Sequence, residues 1–334
     1  MKALLCKQYG PPDSLVVEDV EPGTPEAGEV LVDVAAASVN FPDLLIIENK
    51  YQIKPPLPFT PGSEFSGTVA ALGPGVTDLA IGDRVIGLCL HGAYQQQMVI
   101  SENRCIALPE SIDFHCAATL SLAYGTTLHA LQDRASMAAG ETLLVLGASG
   151  GVGLAAVEIG KAMGARVIAA ASSEEKLQLC RDHGADETLL YSPHGLDKAA
   201  QREFSQSIKA LTNGQGADVV YDPIGGDYAE PAIRALNWKG RYLVIGFAAG
   251  GIPTIPLNLA LLKGCSLVGV FWGEFVRREP QANRANFQAL FEYFQQGHIQ
   301  PHIDAVYPLE RTADALKQLA SRRSRGKLII DLLA

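Results

Sequence analysis

Between Glu141 and Phe271 the chain alternates two hydrophobic rhythms. Six short apolar runs, Thr142–Leu146, Arg166–Ala171, Glu187–Tyr191, Asp218–Asp222, Arg241–Gly246 and Ser266–Phe271, read as strands, the last closing the sheet. Apolar on both faces, they have the pattern of a parallel sheet. Segments with helical spacing fall between them, among them Glu174–His183, Lys198–Leu211 and Tyr228–Leu236. Strand and helix in alternation predict an α/β fold with a doubly wound parallel sheet. From about Val30 to Leu108 the rhythm is different. VLVDVAAASV, SGTVAALG, DRVIGL, YQQQMVI and RCIALP are short β-like stretches separated by Gly-Pro, Pro-Gly and Gly-Asp turns, as in a compact mostly-β domain. After Gly273, Gln281–Gln296 reads as an amphipathic helix bearing Phe287, Leu290, Phe291 and Phe294. Leu309–Ala320 reads as another helix and KLIIDLL as a final strand. That tail holds no further strand–helix repeat, so it is expected to return to the first domain.

The first strand of the alternating region runs into a glycine-rich turn, Gly147-Ala148-Ser149-Gly150-Gly151-Val152-Gly153. A helix follows, with Val152, Ala155, Ala156, Ile159 and Met163 on its apolar face. Strand, tight turn and helix in that order aim unpaired amides and a helix dipole at one point, which favours a dinucleotide pyrophosphate. Gly150 lets the backbone approach the phosphates and Gly153 lets the helix pack close to the strand. Ala148 stands where the full fingerprint has its first glycine, so a close-packed turn without ligand is the plainer alternative. The next strand ends in Ala171-Ser172, without the carboxylate that takes the ribose hydroxyls in NAD-binding units. Ser172-x-x-Glu175 reads as a capping box for the following helix. Lys176 lies in that helix's first turn, where a cation opposes the dipole. A phosphate opposite would justify it, the alternative being a solvated surface lysine. NADPH is therefore the better reading than NADH.

Composition narrows the class. A length of 334 residues suggests two domains. The formal net charge of −9 argues against a nucleic-acid surface, Arg322-Arg323-Ser324-Arg325 being the only dense basic run. No apolar run approaches the roughly 20 residues that cross a bilayer. The N-terminal MKALLCKQYGPPD is too short in apolar residues for a signal peptide. A cytoplasmic protein with no membrane and no nucleic-acid partner is expected. The six cysteines are scattered without a Cys-x-x-Cys, as in reduced, mostly buried thiols.

Six segments, in order along the chain, carry a resemblance: VNFPDLLIIENKYQIKPPLPFTPGSEFSG (39–67), IGDRVIGL (81–88), LAYGTTLHAL (122–131), LGASGGVGLAAVEIGKAMGARVIAAASSEEKL (146–177), DVVYDPIGGD (218–227) and RGKLIIDL (325–332). The whole chain resembles the zinc-free quinone oxidoreductases, the zeta-crystallin-like branch of the medium-chain dehydrogenase/reductase superfamily. The resemblance implies a GroES-like catalytic domain over 1–122, a Rossmann NADP(H)-binding domain over 123–260, and a sheet-closing strand and return to the catalytic domain over 261–334. It also implies a homodimer.

Zinc-dependent relatives hold catalytic zinc through a Cys in the segment matching Ser38–Asp43 and a His in that matching Gly62–Glu64. Here those places read Asn40 and Ser63, LAYGTTLHAL has no cysteine, and the cysteine-rich loop of their structural zinc is missing. No metal is expected. Without a Lewis acid, hydride is expected to go to an acceptor that delocalises charge itself, with the protein aligning it and hydrogen-bonding its oxygen. NADPH-dependent reduction of a quinone is the first reading. Reduction of an activated C=C bond in an enone, alkenal or acyl-thioester is the second, and an NADPH-binding structural or sensing protein the third.

The resemblance also assigns roles. Asn40 resembles the active-site asparagine beside the nicotinamide or substrate oxygen, or else caps a turn. Asp43 would orient that loop, or be a surface carboxylate. Tyr51 matches one of two tyrosines lining the substrate pocket and is the candidate hydrogen-bond or proton donor, packing alone being the alternative. The place of the other tyrosine falls within Leu44–Ile47, so a more apolar pocket wall is expected. Thr127 resembles a threonine on the nicotinamide side, and Ser149, Gly150, Gly151, Val152 and Gly153 form the pyrophosphate turn. Ser172, Lys176 and Tyr191 match the positions that hold the 2′-phosphate. Arg322 aligns with a C-terminal arginine reaching the same phosphate, with Arg323 and Arg325 blurring the register. Gly225, Phe247 and Trp272 lie in loops after strands, where ligands bind in such sheets. Phe271-Trp272 also suits a dimer edge or pocket wall.

Overall fold

In a computed structural model that describes residues 1–333, the chain forms two units: Met1–Leu122 together with the stretch from Pro301 onward, and Ala123–Gln300. Unit 1 opens with an antiparallel pair, β1 (Lys2–Leu5) and β2 (Val16–Asp19). Next come β3 (Glu29–Val39), α1 (Phe41–Ile47), β4 (Glu64–Leu72), β5 (Arg84–Leu88), β6 (Gln97–Ser101) and β7 (Cys105–Ala107). A helix, α2 (Phe114–Thr119), precedes the crossing into unit 2.

Unit 2 starts with α3 (Thr126–Leu128), flanked by π-helical stretches Leu120–Gly125 and His129–Arg134. Strands and helices then alternate: β8 (Thr142–Leu146), α4 (Gly151–Ala162), β9 (Arg166–Ala171), α5 (Glu174–Asp182), β10 (Glu187–Leu190), α6 (Lys198–Leu211), β11 (Ala217–Asp222), α7 (Ala229–Arg234), β12 (Leu236–Val244), α8 (Asn258–Lys263) and β13 (Ser266–Gly269). Two more helices, α9 (Trp272–Arg278) and α10 (Pro280–Gln295), complete the unit. The chain returns to unit 1 as β14 (Ile303–Pro308), α11 (Thr312–Ala320) and β15 (Lys327–Asp331).

The sheet of unit 2 is wholly parallel, in the order β10-β9-β8-β11-β12-β13. That order reverses between β8 and β11, and all carboxyl ends lie on one edge, the ligand edge of a doubly wound sheet. Its central strands β8, β9 and β11 are buried on both faces, which is why they read as unbroken apolar runs. In unit 1 the order is β14-β15-β3-β4-β5-β7, with β6 also on β3. Only the β14–β15 pair is parallel there. Register decides what meets: β15 pairs Leu328 with Val39, and β4 pairs Phe65 with Ala37. One step outward on each ladder brings Lys327 and Glu64 to the end of β3, beside Ser38 and Asn40.

The structure corrects several expectations. The tail, expected to return to the first domain after Gly273, does so only at Pro301. Residues 261–300 stay with unit 2 because their aromatic and amide side chains pack there: Phe275 stacks on His129 at 3.9 Å, and Asn286 donates to Asp133 at 2.9 Å. β12 starts at Leu236, five residues before the expected Arg241, which ends α7 at Arg234. α5 is capped by Ser173, whose Oγ accepts from the Lys176 amide at 3.3 Å, so Ser172 is not the cap. Leu44, Ile46 and Ile47 are buried in the core of unit 1. Each such burial contributes on the order of 2 kcal/mol, so α1 is anchored by the residues expected to wall a pocket.

Candidate active site

Asn40, at the end of β3, is 6% exposed and hydrogen-bonded at both ends of its amide. Lys327 Nζ donates to its Oδ1 at 2.6 Å, while its Nδ2 donates to Glu64 Oε1 at 2.9 Å and Ser38 Oγ at 3.1 Å. An ammonium can only donate and a carboxylate can only accept, so the two charges fix which way the amide points. Glu64, fully buried, also receives the Leu122 amide at 2.6 Å, the Ser38 hydroxyl and Lys327 Nζ at 3.0 Å. Lys327 is 5% exposed. A buried ion pair thus clamps the residue assigned to catalysis, and neither charge had been singled out from the sequence. The only trace in the sequence is that Lys327 adjoins the apolar run Leu328-Ile329-Ile330; Glu64 has no comparable signal.

Asp43 sits in the first turn of α1 and is 2% exposed, which removes the surface-carboxylate alternative. Its Oδ2 accepts from the Asn40 amide at 2.8 Å and from Tyr94 Oη at 2.7 Å, and its Oδ1 from Ser63 Oγ at 3.0 Å. Asp43 therefore holds the Asn40 turn. Burial pushes its carboxyl up from 3.8 to about 6, against the Tyr94, Asn40 and Ser63 hydrogen bonds and the Lys327 charge. Because the folded state holds this proton more tightly, the contribution is complete below about pH 4 and is lost as pH rises through about 6. A difference of this size corresponds to roughly 3 kcal/mol. Urea titrations at pH 4 and pH 7 are expected to show a larger fall in stability for the wild type than for Asp43→Asn; equal falls would remove Asp43 as the source.

Tyr51, half-buried against the unit 1 core, has a hydroxyl with no hydrogen-bond partner among the described residues. Burial, and secondly the Asp43 charge, raise its pKa, so it remains a protonated donor.

In unit 2, α4 begins at Gly151 with Gly150 as its N-cap, a residue with no side chain to satisfy the first-turn amides. Ser149 is buried beneath this turn, while Gly150, Gly151 and Val152 are partly exposed. A Cβ on Gly153 would lie 2.2 Å from the Gly147 carbonyl oxygen, so helix and strand pack too closely there for any side chain. A Cβ on Gly150 would meet only that same oxygen, at 3.4 Å. The protein alone does not require glycine at 150; a ligand against the turn would. Uncapped amides and an open approach fit a pyrophosphate.

Ser172, Lys176 and Tyr191 meet at the ends of β9 and β10. Lys176 Nζ donates to Ser172 Oγ at 3.4 Å, and the Tyr191 amide bonds to the Ala171 carbonyl at 3.1 Å. Tyr191 packs against Tyr228 at 4.9 Å. Beyond β11, Asp222 receives the amides of Ile224 and Gly225 at 2.7 and 2.9 Å and the Tyr242 hydroxyl, shaping the loop in which Gly225 has φ +67°. Phe247, 37% exposed, lies over Gly225.

Two further assigned residues are packed inside unit 2, and a third lies in unit 1. Trp272 is 4% exposed with its ring packed on Gly125, where a Cβ would fall 2.5 Å from Cζ2, so it is a packing residue of unit 2. Thr127 is fully buried, its hydroxyl shared between the Val152 carbonyl at 3.3 Å and Tyr221 Oη at 2.9 Å, so it braces the glycine turn from beneath. Arg322 is exposed in the turn after α11 of unit 1, with φ +57°.

Among the described residues no three His, Cys, Asp or Glu side chains gather as a metal-binding group, and no helix is long and apolar enough to cross a membrane. Residues 26–110 match the family model described as alcohol dehydrogenase GroES-like domain, and 151–290 that described as zinc-binding dehydrogenase. The chain is 38% identical over 332 residues to mouse (Mus musculus) quinone oxidoreductase-like protein 2, covering 99% of this chain and 92% of the relative. It belongs to the quinone oxidoreductase branch of the medium-chain dehydrogenase/reductase superfamily. Among solved members of that superfamily fold, mycobacterial Rv1454c complexed with NADPH superposes with a TM-score of 0.91 at 28% identity, over 99% of this chain and all of that one. The CurK enoyl reductase follows with a TM-score of 0.87 at 28% identity, over 99% and 98%. The oxidoreductase class and the two-part architecture of this superfamily are thus those read from the sequence.

Proposed function

We propose that this protein is an NADPH-dependent, metal-independent reductase of quinones. The observation that carries the reading is the Lys176–Ser172 pair at the end of β9, in the place where NAD-specific units keep a carboxylate. Unit 2 would hold the pyrophosphate on the amides of Gly150–Gly153 and the 2′-phosphate on Ser172, Lys176 and Tyr191. Bound NADPH supplies a hydride equivalent to the acceptor ring.

Tyr51 Oη donates a hydrogen bond to an acceptor oxygen as negative charge grows there, and its raised pKa keeps the proton in place until then. Lys327 and Glu64 keep the Asn40 amide in one orientation, so no reorganisation is needed during the reaction. Asp43 holds the turn that carries Asn40. The groups at Asn40 and Ser63 are an amide held by Lys327, Glu64 and Ser38 and a hydroxyl that donates to Asp43, a poor ligand set for a metal cation. One proton, taken from solvent, completes the hydroquinone.

The test is NADPH and NADH consumption by chelator-treated protein with 1,4-benzoquinone, 9,10-phenanthrenequinone and 1-octen-3-one. Quinone turnover with NADPH is expected. The second reading, reduction of an activated double bond, draws on the resemblance to the solved enoyl reductase, and turnover of the enone alone would favour it. NADPH binding without any turnover would leave a sensing protein. Lys176→Gln is expected to raise KM for NADPH roughly tenfold, a loss of about 1.4 kcal/mol, while leaving NADH kinetics unchanged. An equal effect on both cofactors would remove Lys176 from the 2′-phosphate site.

A homodimer belongs to the same proposal. β13 is bonded to β12 on one side only, and Leu267 and Phe271 beside it are 39% and 68% exposed. Such an open, apolar edge invites a second copy. Sedimentation is expected to give a dimer for the wild type and a monomer for Leu267→Lys/Phe271→Ser; a dimer in both would move the interface elsewhere.

A further inference from the structure

Unit 2 carries a groove of about 820 Å³ that shares no residue with the candidate cofactor site. Three helices line it. From α6 come Lys198, Arg202 and Lys209, spaced along one stripe of the helix while Phe204 and Ile208 face the core. α7 contributes Glu230, Pro231 and Arg234, and α8 contributes Leu259, Leu262 and Lys263. One carboxylate thus faces five cations in a chain whose net charge is −9.

That carboxylate is already taken, since Glu230 accepts from Arg234 Nη2 and Nε at 2.6 and 2.8 Å. Lys198, Arg202, Lys209 and Lys263 have no hydrogen-bond or ion-pair partner among the described residues. Burial, and then the nearby Lys209 charge, lower the pKa of Lys263. Two ammonium groups held at one groove without an anion repel in the folded state, and a bound polyanion would reverse the sign of that interaction. The volume lies in the range of small-molecule sites, and the buried Pro231 and Leu259 add an apolar floor, with the exposed Leu262 at its rim.

We propose that this groove binds a small molecule carrying two or more phosphate groups on an apolar or aromatic body, a nucleoside diphosphate or a molecule of that class. Lys209 and Lys263, which line the groove together from α6 and α8, hold the phosphates, and the floor takes the body.

The experiment is calorimetric titration of NADPH-saturated protein with ADP and with inorganic tripolyphosphate. Saturable binding of one molecule per chain is expected for both probes. Lys209→Gln/Lys263→Gln should weaken it about tenfold or more, and Lys2→Gln/Lys7→Gln, which removes the same charge from unit 1, should leave it within about twofold. Both pairs are surface lysines, and unchanged NADPH affinity checks that each variant is folded. No binding of either probe, or equal weakening by both variants, would overturn the proposal. Co-sedimentation with phosphatidylcholine/phosphatidic acid vesicles in the absence of any binding to the soluble probes would also overturn it, in favour of a membrane surface.

Discussion

Lys327→Met is expected to lower stability by about 3–5 kcal/mol, the range for removing one partner of a buried ion pair. The cause is the group left behind. Glu64 is fully buried, and without Lys327 its charge keeps only the Asn40, Ser38 and Leu122 donors. Asn40 Oδ1 also loses its donor, so the amide is free to turn and kcat should fall with stability. Glu64→Gln/Lys327→Met separates the two effects. With both charges gone, no buried charge is left unpaired, and urea unfolding should recover most of the loss. Turnover should not recover, because the amide orientation was fixed by the two charges. A single variant within about 1 kcal/mol of wild type would show that Glu64 is satisfied without Lys327. Recovery of kcat in the double variant would show that the orientation of Asn40 is irrelevant.

The parallel sheet was legible in the sequence because its strands are apolar on both faces and its turns are marked by glycine. β8, β9 and α6 fall where the pattern placed them. The cap of α5 differs by one residue because Ser172 has the Glu175 of a capping box three residues on, yet Ser173, with Lys176 at that place, makes the cap. Choosing Ser173 leaves Ser172 free for Lys176, so the local error bears on the site. The Lys327–Glu64–Asn40 clamp was not legible, since it depends on the register of β15 and β4 against β3, and its members lie 24 to 287 residues apart. α1 was missed for the opposite reason. Its apolar residues in Leu44–Ile47 matched a pocket segment, and periodicity over so short a stretch does not distinguish a wall from a core. Trp272 was placed by its position after a strand, but the absence of a Cβ on Gly125 lets its ring sink into unit 2.

Two glycines of one turn should respond in opposite ways to the same substitution. Gly153→Ala puts a methyl 2.2 Å from the Gly147 oxygen and 2.8 Å from Ala148 Cα, both backbone atoms that cannot rotate aside. The helix must shift from the strand, at a cost of about 1–3 kcal/mol or more, and thermal unfolding should show it without any ligand. Gly150→Ala meets one atom at an ordinary 3.4 Å, and φ −78° is open to alanine. Its stability should change by less than about 1 kcal/mol. What the methyl occupies at 150 is the approach to the uncapped amides of α4, so NADPH affinity should fall tenfold or more, about 1.4 kcal/mol at least. Fluorescence titration with NADPH beside a thermal melt reads both quantities on the same protein. If Gly150→Ala binds NADPH like the wild type, the turn is a packing device and the pyrophosphate lies elsewhere. If it melts early as Gly153→Ala does, the turn is held together by the chain at both positions, and the openness at Gly150 says nothing about a ligand.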